Sequence, residues 1–130
     1  MNGNAGSDIH QYLISAAEVY LRSKGYTIKD RSLYQALIGL KVPSIPDLMA
    51  TKRESYRDTR GRRRDVIDAI IVEVEMKPTK ASKRKKEKQY SENLVGWTLI
   101  ILDARGIRGM RQGWDNVTMR AIQDWLQAGL

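Results

Sequence analysis

The sequence predicts an α/β domain in which helices pack on a central mixed sheet. Three observations carry this reading. Apolar residues recur at helical spacing near both ends of the chain, Val66–Met76 alternates with period two, and Trp97–Leu102 is a continuous apolar run. The chain has 130 residues, enough for one domain with one core.

Residues 1–6 are small and polar and read as a disordered tail, leaving 7–130 as the domain. Ser7 offers an N-cap, and Ile9, Tyr12, Leu13, Ala16, Ala17 and Tyr20 fall on one face of a helix over 8–24 that Gly25 stops. Tyr26-Thr-Ile-Lys29 alternates briefly as a strand. Leu33, Ala36, Leu37 and Leu40 keep helical spacing over 31–40, and Pro43 and Pro46 then break regular structure. A strand starts at Leu48-Met-Ala50, and the polar stretch 51–65, with Gly61 near its tip, is a long hairpin arm. Val66–Met76 returns as the clearest strand, ended by Pro78. Lys80–Leu94 is a basic helix closed by Gly96. The apolar run Trp97–Leu102 fits a strand covered on both faces. A glycine-rich loop with Arg105, Arg108 and Arg111 leads to a last helix, capped by Asp115, whose core face is Val117, Ala121, Ile122, Trp125 and Leu126.

Composition excludes several classes of function. Without cysteine there is no disulfide scaffold, no thiolate zinc site and no thiol nucleophile. One histidine, His10, cannot build a multi-histidine metal site. There is no P-loop signature, no secretory signal and no apolar run long enough to span a bilayer, so the expectation is a cytoplasmic protein without a membrane partner.

The net charge is +8, and it is concentrated. Fourteen basic and seven acidic residues lie between Lys52 and Lys88, which leaves +1 for the rest of the chain. Two clusters dominate: Arg60-Gly-Arg-Arg-Arg64 with nearby Arg57, and Lys80, Lys83, Arg84, Lys85, Lys86 and Lys88. Clusters of this kind attract nucleic-acid backbones through counterion release. Arg57, Arg60, Arg62, Arg63, Arg64, Lys80, Lys83, Arg84 and Lys86 are the expected nucleic-acid contacts. The competing reading is a solvated loop and helix face that only raise solubility. Tyr12, Tyr20, Trp97, Trp114 and Trp125 read as packing residues.

Acids cluster at the end of the main strand. Alternation places Glu73, Glu75 and Lys77 on the side that is apolar earlier in the strand, at Ile67, Ala69 and Ile71. Charges there are costly unless paired or bound to a metal. If 47–52 pairs with the main strand as a hairpin, Asp47 approaches Glu75. Two converging carboxylates suit Mg²⁺, or Mn²⁺, and an adjacent lysine can stabilise charge on a phosphate. An acid-x-lysine triplet alone is a chance event in a chain with 15 acids, but Pro46-Asp47 ahead of it on an adjacent strand makes coincidence improbable.

Pro46-Asp47 followed by Glu75-Met-Lys77 resembles the PD-(D/E)xK nuclease superfamily, and the order of elements resembles the archaeal-type Holliday junction resolvases within it. The resemblance covers about residues 8 to 103. It implies a restriction-endonuclease-like fold, a homodimer acting on DNA, Mg²⁺ held by Asp47, Glu75 and the Met76 carbonyl, and Lys77 as the catalytic lysine. The family often adds an acid from the first helix, where Glu18 points off the apolar face, and a polar residue on the following helix, where Gln89 is nearest. The Gln-x-x-x-Tyr pattern of RecB-like exonucleases is absent, since Tyr90 directly follows Gln89. A second register, Glu73-Val-Glu75, matches an acid-x-acid variant and leaves Lys77 outside the metal shell. Asp68 lies too near Glu75 on the same strand to be its hairpin partner. Two other functions remain open: a non-catalytic nucleic-acid-binding module, and a subunit of a recombination or packaging assembly.

Overall fold

A computed structural model describes residues 5–30, 46–93, 96–107 and 116–130. Helix α1 (Ala5–Ser23) leads into β1 (Thr27–Lys29), followed by β2 (Leu48–Arg57), β3 (Arg63–Glu75), α2 (Lys80–Asn93), β4 (Thr98–Asp103) and α3 (Asn116–Gly129). The sheet order is β1-β2-β3-β4. β1 and β3 each run antiparallel to β2, whereas β4 runs parallel to β3, the two being joined through α2. The mixed α/β sheet expected from the sequence is present.

Helix α1 buries Leu13 and Ala17 of the expected stripe, and with them Ile14 and Leu21, one position further round the helix. It starts at Ala5, so Ala5 and Gly6 belong to the helix rather than to the expected tail. It ends where Gly25 takes φ 94°. The Tyr26 N–H then bonds the Leu21 carbonyl and the Gly25 N–H bonds that of Arg22, a Schellman closure that a side chain at Gly25 would strain. The expected helix over 31–40, Arg108, Arg111, Trp114 and Asp115 lie outside the described residues.

Strand alternation sorts the core into two layers. Leu48, Ala50, Ile70, Val72, Val74 and Leu102 face α1 and α3, where they meet Leu13, Ala17, Ile122 and Leu126. Met49 and Ile71 face the other way, onto Tyr90 of α2, with Trp97 and Leu99 alongside. β4 therefore packs on both faces, and Trp97 and Trp125 are packing residues as expected. Trp125 also donates its indole N–H to the Asp103 carbonyl at 2.8 Å.

β3 is longer than the apolar alternation suggests, because its first half pairs with β2 along the whole arm down to Arg57 opposite Arg63. Polar cross-strand partners hold that half extended, for example Ser55 donating to Asp65 at 2.6 Å. At the other end β3 stops at Glu75, two residues short of Lys77.

Candidate functional site

The acids gather where β3 and β4 end, the edge at which open α/β sheets present their ligands. Leu48 pairs with Val72, so Asp47, one residue earlier, comes level with Glu73. Its Oδ2 accepts the Val74 N–H at 2.8 Å, which fixes the carboxylate against the end of β3. His10 of α1 closes the other side. Its Nε2 lies 2.9 Å from the Val74 carbonyl and 3.4 Å from Asp47 Oδ2. The hairpin expected from the sequence is present, but its register sets Asp47 level with Glu73 and not with Glu75.

Glu73 is the most enclosed charge among the described residues, only 2% exposed beneath α2. Tyr90 donates its hydroxyl to Glu73 Oε1, and Lys86 places its ammonium 3.1 Å from Oε2. The same ammonium forms an ion pair with Glu75. Burial, and then the negative charge of Asp47, push Glu73 up to about 7, against the pull of Tyr90 and Lys86. For Lys86 burial works against the charge. The hydrogen bond to Glu75 and the charge of Glu73 outweigh it, so the amine titrates above its ordinary value.

A fourth acid, Asp103, is the register partner of Glu75 on β4. Arg105 grips it through Nε at 3.0 Å and Nη2 at 2.6 Å. That hydrogen bonding, helped by the charge of Lys83, holds Asp103 below the usual carboxylate range.

The start of α2 decides which of its many cations reaches the acids. Thr79 and Ser82 cap it reciprocally: each backbone N–H bonds the other's hydroxyl, at 2.9 and 3.0 Å. With the first turn fixed after Pro78, Lys83, Lys86 and Tyr90 fall on the sheet side, while Lys80, Arg84, Lys85 and Lys88 stay exposed. Lys83 and Lys86 were expected to meet nucleic acid, but both are half-buried toward carboxylates.

The remaining assignments divide. Lys77 is exposed beyond the end of β3, and among the described residues no ion pair joins it to the acids; the alternation that aligned it with Glu75 ends before reaching it. Met76 turns its side chain toward the main core. Glu18 pairs with Arg22 at 3.7 Å, one turn along the same helix. Gln89 is half-buried beside Tyr90. Asp68 accepts the Tyr26 hydroxyl, a bond that together with burial pushes that phenol up to about 12. Tyr12 and Tyr20 pack on the margin of the main core and line a groove between α1 and α3, with Val19 and Met119, remote from the acids.

Lys86 was expected to contact nucleic acid and not to neutralise the acids, and His10 was not assigned to the site. Tyr90 carried a usable signal for Lys86. It is the only aromatic residue in a charged helix, so it marks the inward face, and Lys86 stands one turn before it. His10 lay on the flank of the α1 stripe, and nothing local marked it as the neighbour of Asp47.

Asp47, Glu73 and Glu75 offer the hard carboxylate oxygens that Mg²⁺ or Mn²⁺ takes. Three carboxylates face the single ammonium of Lys86, and burial, and after it the charge of Asp47, raises Glu73. Among the described residues no group of three acids or imidazoles already converges as a closed ligand set, Glu73 and Glu75 being drawn to the Lys86 ammonium. The donor type suits a divalent cation, whereas the arrangement in the structure is an ion-pair cluster around Lys86. No helix among the described residues is long and apolar enough to cross a membrane. No protein-family model, curated protein or solved structure matches the chain.

Proposed function

We propose that this chain is a metal-dependent endodeoxyribonuclease on a restriction-endonuclease-like core, with Asp47, Glu73 and Glu75 as its acidic centre and Lys86 as its amine. The observation that carries the reading is the meeting of Asp47, Glu73, Glu75 and Lys86 at the end of the β2–β3 hairpin. The succession of elements around it, a helix, three strands, a helix and a parallel strand, supports it too. The acid-x-acid register Glu73-Val-Glu75 suits this geometry better than Glu75-Met-Lys77.

Asp47, Glu73 and Glu75 would hold the divalent cation, which would supply positive charge to acidify a water and offset charge on the scissile phosphate. The protein's own groups do the rest. The Val74 N–H and His10 hold Asp47 in place, and Tyr90 and Lys86 hold Glu73. The Lys86 ammonium, once released from the glutamates, donates to a phosphate oxygen whose charge grows in the transition state. A homodimer belongs to the same reading, because symmetric cuts across a junction need two centres.

The test incubates four-way junction, linear duplex and single-stranded DNA with Mg²⁺, Mn²⁺ or EDTA. Metal-dependent cleavage is expected. Asp47→Ala and Lys86→Ala each lose on the order of 10²–10³ in rate while DNA binding persists, and Lys77→Ala loses far less. Cleavage by Asp47→Ala at the wild-type rate overturns the assigned centre. A second reading has its own support: Lys86 and Tyr90 already satisfy Glu73, as a purely structural cluster requires. That reading predicts salt-sensitive DNA binding without cleavage of any substrate.

A further inference from the structure

We infer that the outer halves of β2 and β3 form a two-stranded ribbon that enters the major groove of B-form DNA about one helical turn from the acidic centre. β1 pairs only as far as Thr51, and β4 pairs with β3 only from Ile70. Among the described residues, 53–57 and 63–67 therefore pair only with each other and are exposed on both faces, whereas Lys52 and Asp68 are half-buried against Tyr26.

The ribbon is built to present cations. Its span 52–65 holds seven Lys/Arg against three Asp/Glu. Asp58 ties the tip by accepting the N–H groups of Arg60 and Arg62, each at 2.9 Å, and pairs with Arg64 at 3.1 Å. Gly61 takes φ 75° there, and Arg57 bonds its carbonyl at 3.0 Å. Along one face, Asp65 lies 3.4 Å from Arg63 and 4.0 Å from Arg53, setting these arginines in a row with Arg57. By strand alternation this is the face that carries Glu73 and Glu75. Ile67 stands 63% exposed among them. An exposed apolar residue on a free-edged ribbon is a liability without a partner to cover it, and thymine methyl groups line the major groove.

The dimensions select the partner. Two strands about 4.8 Å apart fit a groove about 12 Å wide. The major groove of A-form RNA is too narrow and deep for them. Ten residues separate Arg63 from Glu73, about 33 Å at the rise of a strand. One turn of B-DNA is roughly 34–36 Å. With the ribbon in the groove, the end of β3 that carries Glu73 and Glu75, covered there by α2, lies one turn away along the duplex. This placement rests on the nuclease reading only for what happens at the acids, since the ribbon's fit to DNA is independent of it.

The test measures binding alone, by fluorescence anisotropy of the full chain in EDTA, and so stands or falls apart from cleavage. Its probes are duplex DNA of 10, 16 and 28 base pairs, a 28-nucleotide single strand and a 28-base-pair RNA duplex. The expected result is at least tenfold tighter binding to the longest DNA duplex than to the shortest, and weaker binding to the other two probes. The triple variant Arg53→Gln, Arg57→Gln, Arg63→Gln abolishes that length dependence and flattens the slope of log K against log salt by about 3. The matching Arg→Lys triple keeps the slope. Guanine N7 atoms protected from methylation by the wild type become reactive in the Gln triple. Absent duplex binding, equal binding to single strand or RNA, an unchanged slope, or unprotected N7 atoms each overturn the inference.

Discussion

Replacing Glu73 with Gln tests the electrostatics of the acidic centre without any substrate. Burial and Asp47 push the Glu73 carboxyl from 4.5 to about 7. A displacement of that size corresponds to about 3 kcal/mol of preference for the protonated form. The folded chain keeps this proton up to pH about 7, whereas the unfolded chain releases it near 4.5. The native state therefore binds more protons in that window, and stability falls as pH rises, by up to ~1.4 kcal/mol per pH unit. Above pH 7 the full cost is present, and below about pH 4.5 it is absent. Gln keeps an oxygen for Tyr90 and Lys86 but carries no charge. Glu73→Gln should match the wild type near pH 4.5 and exceed it by about 2–3 kcal/mol at pH 8. Urea unfolding followed by circular dichroism at half-unit pH intervals measures the difference, and subtraction cancels the titrating groups that do not interact with Glu73. A difference that stays constant between pH 5 and 8 refutes the reasoning.

Two further outcomes follow from particular contacts. Tyr90→Phe removes the hydroxyl that bonds the buried Glu73 and should cost about 1–3 kcal/mol, more at pH 8 than at pH 5, in the same urea experiment. Gly129→Ala sets a Cβ 2.3 Å from Leu102 Cδ2, and Leu102 is buried with little room to move. Overpacking of about 1–3 kcal/mol should lower the thermal midpoint by several degrees in calorimetry, without altering DNA binding.

Periodicity made much of this molecule legible. The stripe through Leu13 and Ala17, the period-two run around Ile70–Val74 and the β2–β3 hairpin could all be read because one buried face imposes a regular spacing, although Ile14 and Leu21 escaped that reading. Pro46-Asp47 marked the start of β2, and alternation put Glu73 and Glu75 on one side. The failures were of length and long-range contact. Arg63, Arg64 and Asp65 are charged and show no apolar alternation, so they read only as part of the hairpin arm, and their pairing with β2 reveals them as strand. Lys77 was aligned with the glutamates by extending the alternation past the strand's true end. Lys86 was hidden among similar neighbours in a helix where cations occupy nearly every face, and its partners are 11 and 13 residues away, across the turn after β3.

The arm and the acidic centre share one unbroken strand, and this restricts how the chain can vary. Removing a single residue between Ile67 and Ala69 inverts everything beyond the deletion, so that the arginine row and the carboxylates end up on opposite sides of the blade. Matched pairs of residues taken from or added to both strands preserve the phase and change only the reach, in steps of about 7 Å. Arm length therefore works as a ruler with even graduations, and proteins of this architecture should differ there by two, four or six residues per strand.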